Sequence, residues 1–137
     1  MRVKTVSLFL ITFFMAGCLG GRMYFDKPTR YDIKLSMLKM KKHYEIVQQW
    51  VKGEGGTPEA TTDSVARIRT ETDFLLNKLP SRNPEIYQEK LRDMLHTLDF
   101  LEESVKDNQP KRAKYHFNEL RGSCTSCHFR YKVGVNF

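Results

Sequence analysis

From about Thr29 onward, apolar side chains return every three or four positions, the spacing that sets them on one face of an α-helix. Four such stripes follow one another, and no stretch alternates as a strand would. The first holds Ile33, Met37, Met40, Tyr44, Val47 and Val51 and predicts a helix over 29–52, stopped by Gly53-Glu54-Gly55-Gly56. The second holds Val65, Ile68, Leu75 and Leu79 with Thr72 at a weak position; Thr57 or Thr62 is the candidate N-cap, and Pro80 closes it. The third is the cleanest, with Tyr87, Leu91, Met94, Leu98, Leu101 and Val105. It opens on Asn83-Pro84-Glu85, which offers a cap, a first-turn proline and a carboxylate suited to the helix dipole. The fourth starts after Asn108 or Gln109, with Pro110 in its first turn, and runs through Ala113, Phe117, Leu120, Cys124, Cys127 and Tyr131. Both cysteines therefore fall on its inward face. Helices of about 20 residues span roughly 30 Å, and short loops favour antiparallel neighbours. The pattern predicts an all-α fold, an antiparallel up-and-down four-helix bundle over 29–137.

Length agrees with a single bundle: 137 residues, 40% of them hydrophobic, supply one modest core and not two. The front of the chain stands apart from it. Arg2 and Lys4 precede the apolar run Val6 to Ala16, a signal segment too short to cross a bilayer. It ends in Met15-Ala16-Gly17-Cys18, which resembles a bacterial lipobox with Met where that motif prefers Leu. The resemblance implies a signal peptide over 1–17, a lipid on Cys18, a tether over 18–28 and a place in the bacterial periplasmic space, anchored to a membrane.

Export changes the count of cysteines. With Cys18 lipidated and Cys124 and Cys127 engaged together, none is left for a structural disulfide. Export also changes the charge. The formal +7 falls to +5 once Arg2 and Lys4 are removed, and two ionised propionates would lower it to about +3. Such a surface suits an acidic redox partner or an anionic membrane, or is simply solvated. No basic-aromatic motif points to nucleic acid.

The chemistry is concentrated in Cys124-Thr125-Ser126-Cys127-His128. A closed zinc site needs four ligands, and these residues offer at most three, with Cys127 and His128 projecting about 100° apart on a helix. A thioredoxin-like dithiol sits at a helix N-terminus after a strand, whereas this pair comes late in a helix, where the dipole disfavours thiolate. Covalent haem uses every member. The two thiols add to the two vinyl groups of one porphyrin, and His128, one turn after Cys124, turns its imidazole to the iron.

A four-helix pattern with Cys124 to Lys132, CTSCHFRYK, near its C-terminus resembles the cytochromes c′ and the low-spin cytochromes c-556. Their motif continues to an aromatic and a basic residue, matched by Tyr131 and Lys132. Lys27-Pro28 and Val51-Lys52-Gly53-Glu54 resemble segments flanking the family's first helix, so the likeness covers about the whole mature domain, though the middle helices contribute only architecture. It implies one covalent haem c, with Cys124 and Cys127 as thioethers and His128 as proximal ligand. It also implies a distal residue from the first helix, which register places at Met37, with Met40 as second candidate. Where the family has an arginine one turn earlier, this chain has Ile33 beside Lys34.

Two functions follow. With Met37 on the iron, the protein is a low-spin electron carrier for redox partner proteins. With Met37 merely packed, the iron is five-coordinate and binds NO or CO. His43, His96 and His116 fall beside their stripes and are weaker ligand candidates. A homodimer through the first helices, as in many relatives, is a candidate assembly, and no catalytic constellation of an enzyme stands out.

Overall fold

A computed structural model describes residues 25–131. The signal segment and Cys18 lie outside the described residues. Four helices account for nearly all of that span: α1 (Lys27–Lys52), α2 (Pro58–Leu76), α3 (Pro84–Lys106) and α4 (Pro110–Tyr131). No strand occurs among the described residues.

Local chemistry sets the ends. α1 begins two residues before the expected Thr29, because the Asp26 carboxylate accepts from the Thr29 amide at 3.1 Å and Pro28 tolerates the first turn. Lys27 and Pro28 are therefore helix and not tether. Its end is Gly53, left-handed at φ 73°, with the Glu54 amide bonded to the Gln49 carbonyl at 2.9 Å. At α2 it is Thr57, and not Thr62, that caps, accepting from Ala60 N at 3.2 Å. α2 ends at Leu76, before Pro80, so Leu79 lies past the helix and is 48% exposed instead of joining the stripe.

Asn83 departs further from expectation. It stands at the N-cap of α3, but in the left-handed region at φ 51°, and its side chain makes no capping bond. Its carbonyl carries the junction, accepting from Tyr87 N at 3.2 Å and from the Tyr131 hydroxyl at 3.2 Å. At α4 the Gln109 carbonyl receives the Ala113 amide at 2.9 Å, after Asn108 takes the left-handed turn.

The four apolar stripes meet in one core. Every expected member of the α1 and α3 stripes is buried, as are Val65, Ile68, Thr72 and Leu75 of α2. On α4, Ala113, Phe117, Leu120 and Tyr131 are buried, and Cys124 and Cys127 are half-buried against the core. Ser36, Thr61, Ser64 and Ser104 also lie inside, which an apolar pattern does not reveal. Three of these satisfy their hydroxyls on carbonyls, as Ser104 does on Phe100 at 2.7 Å, so burial leaves no polar atom stranded there.

α1 packs on α2, α2 on α3 and α3 on α4; α1 and α4 meet along a much thinner seam. The diagonal pairs, α1 with α3 and α2 with α4, have no Cα atoms within 8 Å. Polar ties stitch the neighbours: Lys78 to Asp32 at 2.7 Å, Lys39 to Glu71 at 3.2 Å, Arg69 to Asp99 and Glu102, Arg112 to Glu103 at 2.9 Å. The arrangement is all-helical and accords with a four-helix bundle.

Candidate functional site

The last turns of α4 divide their side chains by helical phase. Cys124 and Cys127 turn toward the core, while Thr125 and Ser126 between them are exposed. Thr125 bonds back to the Arg121 carbonyl at 2.9 Å, and Ser126 receives Lys90 of α3 at 2.7 Å, which fastens this part of α4 to its neighbour. His128, one turn beyond Cys124, is half-buried. Phe129 projects to solvent, 86% exposed.

Neither cysteine is in a disulfide. Burial, with some repulsion from Cys127, pushes the Cys124 thiol up to about 12. Burial takes Cys127 up to about 11 against the opposing pull of Lys90. Both thiols therefore stay neutral at physiological pH, the opposite of the lowered pKa that a redox dithiol needs. Burial also holds the His128 imidazole below its ordinary value, which favours the neutral ring that can bind a metal.

The surroundings of the two thiols differ. Cys124 opens onto a cleft of about 420 Å³ on the thin α1–α4 seam, beside Tyr44, Gln48, Lys52 and Arg121. Tyr44 packs at a tilt on Phe117, ring centroids 4.8 Å apart. A larger hollow of about 670 Å³ lies on the outer side of α4 around Phe129 and contains neither cysteine. Cys127 instead sits near Tyr87, close enough that a Cys127 thiolate would help raise the phenol's pKa, although burial is the main cause. Tyr87 packs on Phe25 and Tyr131, with centroids at 5.6 and 5.1 Å. Its hydroxyl is buried and has no hydrogen-bond partner.

The remaining candidates separate. Met37 and Met40 are both buried in the core. The Thr72 hydroxyl donates to the Ile68 carbonyl at 2.8 Å and lies 3.8 Å from the Met40 sulfur and 4.0 Å from the Met94 sulfur, so Met40 packs against Thr72 of α2. His43 is held against α2 through Ser64 at 3.4 Å. His96 is exposed beside Phe100, and His116 pairs with Glu119 at 2.9 Å and stacks on Phe100. Among the described residues, no three His, Cys, Asp or Glu side chains converge to hold a metal ion.

These residues fit a covalently bound haem. Two neutral thiols with two residues between them face the interior, a half-buried imidazole follows one turn after Cys124, and the α1–α4 seam that Cys124 borders is the thinnest between neighbouring helices. The buried, unpartnered Tyr87 hydroxyl near Cys127 leaves a donor that a further group bound there could satisfy. Sequence reading missed Phe25, assigned to the tether and yet only 4% exposed, because a lone aromatic ahead of a helix carries no periodic signal. It also took Tyr87 as plain core, since its place on the stripe hides the hydroxyl's predicament.

No helix among the described residues is long and apolar enough to cross a membrane. No protein-family model, curated protein or solved structure matches the chain.

Proposed function

We propose that this chain is a monohaem c-type cytochrome, an electron carrier and not an enzyme, lipid-anchored through Cys18 in a bacterial envelope. One observation carries the reading: the complete Cys124-x-x-Cys127-His128 motif has both thiols turned toward the core, with Cys124 at the thinnest seam of the fold. Cys124 and Cys127 would hold the haem as thioethers and His128 would be its proximal ligand. When bound, the haem supplies reversible one-electron chemistry at its iron.

The chain's own residues supply the rest. Leu91, Met94, Leu98 and Leu120 exclude water from the interior, and a drier site shifts the potential. Met37 on α1 is the distal candidate, favoured over Met40 because the latter's sulfur already sits on Thr72. The ties of Lys78 to Asp32, Arg69 to Glu102 and Arg112 to Glu103 support an antiparallel up-and-down course, in which α4 would hold the haem and α1 would offer Met37 to it. A second reading is favoured by the burial of Met37: a thioether that only fills space would leave the iron five-coordinate and able to take NO or CO.

The test is the covalent link itself. Protein matured in a host that makes c-type cytochromes should gain one haem in intact mass and keep haem staining on a denaturing gel. Cys127→Ser should retain at most one linkage, and Cys124→Ser with Cys127→Ser none. Loss of all colour from the wild type on acid-acetone extraction would refute the assignment.

A further inference from the structure

α1 carries two apolar faces. The one built from Ile33 to Val51 makes the core; on the opposite side Tyr31, Leu35 and Leu38 follow at steps of four and three, 69, 45 and 47% exposed. One exposed leucine is ordinary, but a row of three large apolar side chains on one helix is not. At 100° per residue, Tyr31, Leu35, Leu38 and Lys42 fall within an arc of about 60°. Lys27 and Lys34 border the row, and all three lysines are exposed. The acids of this helix are committed elsewhere, Asp32 to Lys78 at 2.7 Å and Glu45 to Lys41 at 4.0 Å.

We propose that this outer face of α1 lies on the anionic surface of the membrane that carries Cys18. Tyr31, Leu35 and Leu38 enter the boundary between headgroups and acyl chains, and Lys27, Lys34 and Lys42 meet lipid phosphates. The inference rests on the lipid anchor at Cys18. An apolar row of Leu and Tyr flanked by lysines is the composition of a helix that lies in a bilayer interface. The nine Cα steps from Cys18 to Lys27 reach at most about 32 Å, so an anchored chain keeps this end of α1 near the bilayer. A second copy is a poorer occupant, since packing two such faces together brings both lysine rows together with no uncommitted acid between them. Docked this way, α3, diagonal to α1, points away from the membrane toward soluble partners.

The protein as a bacterial host processes it, bearing Tyr31→Trp, is combined with vesicles of phosphatidylethanolamine and phosphatidylglycerol with brominated acyl chains. Wild type, whose only tryptophan is Trp50, is the reference. The Tyr31→Trp signal should be quenched at least about twofold more than that of Trp50, and Lys34→Glu with Lys42→Glu should remove about half of the effect. Protein that floats with the vesicles but shows no extra quenching overturns the proposal and leaves the anchor standing. Protein that does not float shows the anchor reading itself to be wrong, and this placement with it. Shielding of the indole introduced by Tyr31→Trp from aqueous quencher without lipid quenching, in a species that cross-links as a dimer, assigns the face to a second copy instead and also overturns the proposal.

Discussion

Tyr87 and Tyr131 meet edge to face between α3 and α4, ring centroids 5.1 Å apart, and their hydroxyls have opposite fates. Tyr131 donates to the Asn83 carbonyl at 3.2 Å, while the buried Tyr87 hydroxyl has no partner. An unmade hydrogen bond costs the desolvation of its group, and a made one contributes about 1 kcal/mol. In haem-free protein, Tyr131→Phe should therefore lose about 1 kcal/mol and Tyr87→Phe should be neutral or stabilising. Urea melts of the two variants check the order; a larger loss from Tyr87→Phe would contradict it.

Asn83 offers a backbone test. Its left-handed φ of 51° is tolerable for Asn and easy for Gly, and its side chain caps nothing. Asn83→Gly should leave stability almost unchanged, whereas Asn83→Ala should cost about 1 kcal/mol. Equal losses from both would mean that the amide group, and not the backbone, matters.

The spectrum decides the role of Met37. If its sulfur binds iron, the oxidised protein is low-spin with a weak sulfur-to-iron band near the red edge, and Met37→Ala abolishes that band and lowers the potential. Met40→Ala should leave the band in place while costing about 2–5 kcal/mol of stability, because it empties a core position beside Thr72. A high-spin wild type that binds CO readily identifies the five-coordinate form. A low-spin spectrum surviving both substitutions promotes a histidine to sixth ligand.

His43 should make stability depend on pH. Burial first, then Lys42 and Arg67, hold its pKa below the ordinary value, so the folded state resists the charged ring. A depressed folded pKa contributes stability that is present above the unfolded value near 6.5 and is lost as pH falls through the folded one. Melts at about pH 7.5 and about pH 5 should show a drop that is smaller in His43→Gln than in wild type. Identical drops would place the pH dependence elsewhere.

The proposed lipid on Cys18 predicts a fractionation phenotype. The several acyl chains of a bacterial lipoprotein, at about 0.8 kcal/mol per buried CH₂, anchor stably where one chain would not. Cys18→Ala should release a still-coloured protein into the soluble fraction. Wild type that is already soluble, with a different first residue, would contradict the anchor.

The Cys-x-x-Cys-His motif and the core stripes are legible in the one-dimensional pattern because each is local. Five consecutive residues hold the whole of Cys124 to His128, and helical phase alone turns Ile33, Met37, Leu91, Leu98 and Phe117 to one side, where the core then forms. Contacts between helices are not local, and there spacing ran out. Phe25 is buried only because α3 and α4 bring Tyr87 and Tyr131 to it, and Leu79 is left outside because α2 ends at Leu76. Asn83 gives up the capping role that its side chain promised because the turn into α3 needs a left-handed residue and the Tyr131 hydroxyl needs its carbonyl. The second apolar row, Tyr31, Leu35 and Leu38, acquires meaning only when the fold takes the other side of α1 for its core and leaves this one bare. Periodicity depends on the chain's own geometry, whereas which face is covered, and which hydroxyl finds a partner, depends on what arrives from elsewhere in the fold.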